Sequence, residues 1–181
     1  MISGQLTGSG LKFIIDYPRQ DDNGLVEGRV LLFLSQNDEK EPRLQISDNS
    51  TTGFVFGVDA IGKQAPAGVT VDNEIFGYPV PSLDDIPAGE YWVQGLIHKY
   101  ETFDLKTGHH VKLPMDRGEG QHWHSAPGNY YSTPKKVTLD PKKRKTVQIT
   151  LDQVIPAIDE PEDTKYVKHI KVQSKLLTEF W

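Results

Sequence analysis

The chain has 181 residues, which is enough for one domain of ordinary size with a hydrophobic core. Its net charge of −5 gives no electrostatic reason to expect a nucleic acid or an anionic membrane as partner, and no apolar run is long enough to span a bilayer. It has no cysteine, which excludes disulfides, thiol nucleophiles and cysteine-ligated metals, while 16 glycines and 12 prolines favour turns and β-structure.

The first half of the chain predicts short strands separated by turns. Branched and aromatic runs at residues 11–17 and 28–34, joined by a polar loop at 19–24, predict two strands that form a hairpin or lie close together. Shorter alternating or apolar runs follow at 43–46 and 54–58, and residues 65–78 predict loops with short strands.

The clearest strand follows a tight turn that contains Pro87 and Gly89. Successive side chains of a strand point to opposite faces, so we expect two sets of residues on its two sides. One set is Tyr91, Val93, Gly95 and Ile97, and the other is Trp92, Gln94, Leu96 and His98.

Residues 135–139 and 146–151 predict a further hairpin-like pair. The basic run at 142–145 between them is typical of a solvated charged turn, which we favour over a phosphate-binding patch. Six to eight short strands in this arrangement predict an all-β sandwich over residues 1–155.

The end of the chain differs in composition from the rest. Two prolines and four acidic residues at 154–163 indicate a linker, and the alternation at 165–174 predicts a strand. Apolar residues then follow up to Trp181, so we expect residues 156–181 to need a partner. That partner is a following domain, the edge of the sandwich itself or, through an unpaired strand edge, a second copy in a homodimer.

Six segments stand out along the chain: 41–45 (EPRLQ), 56–59 (FGVD), 77–79 (GYP), 83–94 (LDDIPAGEYWVQ), 125–132 (SAPGNYYS) and 163–181. They resemble the amino-terminal region of a group of bacterial esterase-like proteins, and the resemblance extends over nearly the whole chain. In that group a β-rich domain precedes an α/β-hydrolase domain. The resemblance implies that residues 156–181 lead into an attached or neighbouring hydrolase domain, and that the protein is periplasmic or secreted.

A looser resemblance concerns the turn at 86–91 (IPAGEY), which is similar to turns in transthyretin-like and carboxypeptidase-regulatory-like sandwiches. It supports the sandwich fold, and the architecture we expect is an immunoglobulin-like or transthyretin-like β-sandwich with long loops, a C-terminal linker and a strand.

The chain lacks the Gly-x-Ser-x-Gly turn that holds the nucleophile of an α/β-hydrolase. If the resemblance holds, this chain is therefore a non-catalytic accessory domain that packs on a catalytic domain or targets it, with no catalytic residue and no cofactor.

Two alternatives rest on the stretch GEGQHWHSAPGNYY at 118–131 and its surroundings. The first is a carbohydrate-binding module, because exposed aromatic rings stack on sugars and a polysaccharide would then be the partner. Its candidate residues are Trp92, Tyr100, Trp123, Tyr130 and Tyr131. The competing interpretation is that these rings fill space in the core or beneath a loop.

The second alternative is a small metal-dependent enzyme. His122 and His124 would share one face if they lay on a strand, and copper or zinc would suit them. His98, His109 and His110 could supply further ligands. The competing interpretation is a set of loop histidines hydrogen-bonded to the backbone.

Overall fold

The computed structural model describes residues 10–17, 27–61 and 68–180. These residues form twelve strands, two 3-10 turns (Pro42–Leu44 and Leu83–Asp85) and one short helix, α1 (Lys175–Phe180). The strands are β1 (Leu11–Asp16), β2 (Gly28–Ser35), β3 (Phe54–Ala60), β4 (Val69–Val71), β5 (Gly77–Tyr78), β6 (Gly89–Lys99), β7 (Glu101–Asp104), β8 (His110–Leu113), β9 (Tyr130–Tyr131), β10 (Lys135–Leu139), β11 (Lys145–Thr150) and β12 (Gln153–Val154).

The strands form two facing sheets and a separate hairpin. The larger sheet has the order β12-β9-β6-β2-β3-β5, with β10 paired to the first half of β6 and β9 to its second half. The smaller sheet has the order β11-β1-β4, in which β1 runs parallel to β11. The hairpin consists of β7 and β8. The predicted all-β, sandwich-like fold is confirmed, whereas the choice between immunoglobulin-like and transthyretin-like topology stays a prediction.

The main core lies between the two sheets. Alternate residues of β1 and β2 point into it, as do Tyr91, Val93 and Ile97 of β6, so the predicted faces of β6 are confirmed. Gly95 of β6 packs against side chains of the small sheet: a Cβ atom there would lie 2.9 Å from Leu151 Cδ2 and 3.2 Å from Ile149 Cγ2. A larger residue at this position would therefore crowd the core between the sheets.

The outer face of the large sheet carries a second, smaller core. Leu31, Phe33 and Leu96 are buried there beneath loop residues, together with Ile155. The middle of β2 is consequently covered on both faces, which explains its uninterrupted run of apolar residues.

Both predicted hairpins are wrong. β1 lies in the small sheet and β2 in the large one, and likewise β10 lies in the large sheet and β11 in the small one. A turn that crosses between two sheets uses the same polar residues as a hairpin turn, so local sequence does not separate them. The charged turn itself is confirmed, with Lys143 N donating to Asp140 O at 2.9 Å. The predicted loop at 19–24 falls outside the described residues. The alternation at 43–46 forms no strand, and its first two residues lie in the 3-10 turn Pro42–Leu44.

The predicted strand at 165–174 is also wrong. Its residues join no sheet, and the backbone bonds at its two ends, Thr164 N to Val167 O and Thr178 N to Ser174 O, are local. The six-residue helix α1 follows it. Alternation describes a chain that fits a sheet edge, but a strand forms only where a neighbour supplies hydrogen bonds.

Candidate functional site

The segment 118–129, which we call the histidine loop, lies on the outer face of the large sheet, between β8 and β9. Its path uses left-handed backbone at Gly118 (φ 106°), Gly120 (φ 67°), Gln121 (φ 66°) and Gly128 (φ 83°). Three of these positions are glycines, for which this conformation carries no steric cost. Gln121 is the exception, so its backbone is strained.

Two contacts fix the histidine loop to the sheet. The indole of Trp123 stacks on Phe33, with ring centroids 5.5 Å apart and planes only 1° from parallel. The buried Asn129 donates from Nδ2 to Trp123 O at 2.9 Å, and its Oδ1 accepts from Lys99 N at 3.0 Å. The loop is therefore an ordered layer on the sheet, with Trp123 as its apolar anchor.

A polar cluster formed by Glu41, Arg43 and the buried Gln94 and Ser132 lies beside this anchor. The side chain of Gln94 is fully buried; its Nε2 donates to Glu41 Oε2 and to Ser132 O, both at 2.8 Å. Its Oε1 accepts from Arg43 N at 3.0 Å. These bonds join the first 3-10 turn to β6 and to the break between β9 and β10.

Arg43 links the polar cluster to the histidine loop. Its Nε donates to Glu41 Oε2 at 2.7 Å, Nη1 donates to His124 O, and the guanidinium lies 4.6 Å from the ring centre of Tyr131. Burial by itself would raise the pKa of Glu41. The hydrogen bonds from Arg43 and Gln94 and the positive charge of Arg43 outweigh it, so the pKa of Glu41 lies below its ordinary value.

The five aromatic residues predicted as a binding surface lie in different places. Trp123 and Tyr131 pack on the outer core, whereas Tyr130 is 7% exposed and belongs to the core between the sheets. Trp92 is half-buried on β6 opposite Ser35 and Lys136, and Tyr100 follows β6 beside His98, with ring centres 6.3 Å apart. The structure thus brings together two of the five.

The five histidines predicted as metal ligands lie at three places. The rings of His122 and His124 are neighbours, 5.5 Å apart, on the histidine loop. His109 and His110 lie at the β7–β8 turn, where His110 Nδ1 is 2.5 Å from Asp104 Oδ1, and His98 lies on β6. Within the described ranges, no three His, Asp or Glu side chains are grouped so that they could hold a metal ion.

The surroundings of two of these histidines disfavour the charged form of the ring. Burial lowers the pKa of His98, and the negative charge of Glu119 offsets this only in part. Burial also lowers the pKa of His124, and the neighbouring His122 and Arg43 lower it further.

A cleft of about 350 Å³, which we call the Tyr78 cleft, opens between the histidine loop and residues 46–48. The polar and aromatic side chains that line it are Asp48, Tyr78, Gln121, His122, Trp123 and His124. The hydroxyl of Tyr78 donates to Ser47 O at 3.2 Å, which holds the ring at the rim of the cleft. Sequence reasoning missed Tyr78 and Asp48, because they lie far from the loop in the chain; residues 77–79 stood out only through the family resemblance.

A second cleft, of about 370 Å³, lies at the other end of the histidine loop. Arg117 and Glu101 both line it and form an ion pair with each other. Its most prominent charges are thus already paired.

The serine hydroxyls near the loop have structural partners. Ser132 Oγ accepts from Gly95 N at 3.0 Å, and Ser125 Oγ donates to His122 O at 3.2 Å. Among the residues that the structure describes, no serine hydroxyl is hydrogen-bonded to a histidine ring, which is the contact that activates a serine nucleophile.

Comparison of the chain with protein-family models, with curated proteins and with solved structures finds no match. No helix in the described part of the chain has the length and hydrophobicity needed to span a membrane.

Proposed function

We propose that this chain is a non-catalytic accessory domain of an exported bacterial esterase-like protein, and that residues 165–177 contact the hydrolase domain. The observation that carries the proposal is a row of exposed apolar side chains outside the sandwich. Their exposed fractions are 85% for Tyr166, 51% for Val167, 79% for Ile170, 82% for Val172, 79% for Leu176 and 60% for Leu177. Large apolar side chains exposed together in one short segment are typical of an interaction site.

Two of the lysines beside this apolar row have carboxylate partners just before the segment. Lys168 Nζ lies 2.8 Å from Asp163 Oδ2, and Lys171 is paired with Glu160. Because these lysines have local carboxylate partners, the apolar side chains are what the segment offers to another protein. An apolar domain surface would cover them without having to neutralise the neighbouring lysines.

The polar cluster supports a structural role for the site. Three of the segments that resemble the esterase-like group meet there: 41–45 supplies Glu41 and Arg43, 83–94 supplies Gln94, and 125–132 supplies Ser132. Their hydrogen bonds hold the sandwich and its loop layer together. The Gln94 amide, Glu41 Oε2 and Ser132 Oγ are all engaged in these hydrogen bonds.

The contact is tested by titrating the purified chain with the hydrolase domain encoded in the same genome beside or in frame with it, using calorimetry. We expect Val172→Asp, which places a charge in the apolar row, to weaken binding at least roughly tenfold. Gln173→Asp is the matched control because it adds the same charge at the adjacent polar position, and it should change the Kd less than about twofold. Equal effects of the two variants, or no binding by the parent chain, would refute the contact.

The absence of catalysis is tested with p-nitrophenyl acetate and the purified chain. We expect no hydrolysis above the buffer rate. Turnover that co-purifies with the chain and disappears in Ser125→Ala or His124→Ala would show that the chain is itself an esterase.

A further inference from the structure

The Tyr78 cleft gathers polar groups that the fold does not use. Within the described part of the chain, the side chains of Asp48, Gln121, His122 and His124 make no hydrogen bond to another residue. This contrasts with the polar cluster nearby, where each group has a partner. The cleft therefore presents a carboxylate, an amide and two imidazoles to whatever enters it.

The charge of the cleft restricts its ligands. Asp48 supplies the negative charge, and among the residues that the structure describes no lysine or arginine lines the cleft. Burial lowers the pKa of His124, and the neighbouring His122 and Arg43 lower it further, so a positive charge on this ring is disfavoured. Phosphates and acidic polymers would meet a carboxylate without a compensating cation, so the cleft disfavours them.

Two aromatic rings of the cleft are held in place before any ligand binds. Tyr78 is 42% exposed, and its hydroxyl is tied to Ser47 O. Trp123 is fixed by its stacking on Phe33 and has His124 perpendicular to it at 5.2 Å. Fixed aromatic surfaces next to hydrogen-bonding groups suit ligands with apolar C–H faces and hydroxyl edges.

The backbone of Gln121 contributes to the same surface. Its left-handed conformation costs on the order of 1 kcal/mol or more, and the residue lines the cleft beside His122. Strained residues that a fold retains cluster at ligand sites. The volume of about 350 Å³ lies at the lower end of the range for small-ligand pockets.

We propose that the Tyr78 cleft binds a neutral saccharide, with Tyr78 and Trp123 contacting the faces of the sugar rings and Asp48, Gln121 and His122 hydrogen-bonding to its hydroxyls. The ligand is a short stretch of a neutral polysaccharide rather than an acidic one. This function is additional to the accessory role, because residues 165–177 do not line the cleft. The domain would then hold an associated enzyme near its substrate.

The proposal is tested with a glycan array that carries neutral and acidic oligosaccharides, followed by affinity electrophoresis with the neutral polysaccharides that bind. We expect binding to neutral glycans alone. Tyr78→Ala and Asp48→Ala should each weaken it roughly tenfold, since each removes a contact at the rim without disturbing the outer core. Trp92→Ala is the aromatic control outside the cleft and should leave the affinity within about twofold of the parent.

Three results would overturn the proposal. The first is a folded parent protein that binds no neutral glycan on the array. The second is a preference for acidic glycans. The third is glycan binding that Tyr78→Ala and Asp48→Ala leave unchanged, which would place the saccharide elsewhere on the molecule. Circular dichroism of each variant establishes that the fold is retained, so a loss of binding reports on the cleft.

Discussion

Gln94 satisfies three separate parts of the outer layer at once. It is fully buried on β6 and bonds to Glu41, to the backbone of Arg43 and to the carbonyl of Ser132. A buried amide with all its bonds made is stabilising chiefly because its loss would leave every partner unsatisfied. Through its bond to Arg43, this single side chain connects β6 to a turn that lies more than fifty residues earlier in the chain.

We predict that Gln94→Leu, which keeps a similar volume and removes the hydrogen bonds, lowers the free energy of unfolding by about 2–4 kcal/mol. Urea denaturation followed by circular dichroism measures the change. Gln148→Leu is the control, because Gln148 lies on the exposed face of β11, and it should stay within about 0.5 kcal/mol of the parent. Similar costs for the two variants would contradict the role assigned to the cluster.

Glu41 makes the stability of the cluster depend on pH. Its pKa is lowered in the folded state from the ordinary value of 4.5. The stabilisation is therefore fully present above that value and is lost as the pH falls through the lower, folded pKa. We predict that the free energy of unfolding falls less steeply between about pH 5 and pH 3 in Glu41→Gln than in the parent chain.

The comparison isolates Glu41 because both proteins retain Asp140 and Asp163, whose pKa values are also lowered, by hydrogen bonds to neighbouring lysines and backbone groups. Parallel pH profiles for the parent and the variant would show that Glu41 does not contribute.

At the scale of elements, the histidine loop is held by its anchor rather than by secondary structure. We predict that Trp123→Ala, which uncovers Phe33, lowers the free energy of unfolding by about 2–4 kcal/mol, somewhat below the cost for a fully buried aromatic residue. The exposed neighbour His122 provides the control, and His122→Ala should cost less than about 0.5 kcal/mol. Urea titrations of both variants decide whether the loop packs as the structure shows.

The strands show what could be predicted locally. The two faces of β6 can be predicted from alternation, because successive side chains of a strand point to opposite sides of the sheet. The sheet to which β1, β10 or β11 belongs does not follow, since both hairpin turns and crossover turns need the same polar and flexible residues. The alternating segment 165–174 fails as a strand because periodicity carries no information about whether an edge is available.

At the scale of the molecule, the last buried core residue before the exposed segment is Ile155. Its N donates to Asn129 O, and its O accepts from Gly128 N.

We predict that a chain ending after Ile158 has a free energy of unfolding within about 0.5 kcal/mol of the parent's, because the residues that follow make local bonds and are exposed. A chain ending after Asp152 loses β12 and Ile155 and should be less stable by about 2 kcal/mol or more. Urea denaturation of the two truncated chains measures both effects. A large loss in the longer one would show that residues 159–181 pack on the sandwich.

The amino-acid sequence by itself determined the all-β class, the inward and outward faces of β6 and the charged turn at 140–144, because these depend on local periodicity and turn chemistry. Tertiary structure alone decided which strands share a sheet and that Trp123 is an anchor with part of its surface covered. It also placed Tyr78 and Asp48 beside the histidine loop. The physical reason is that residues distant in the chain bury these positions and supply their hydrogen-bond partners. A local sequence pattern does not specify which distant residues these are.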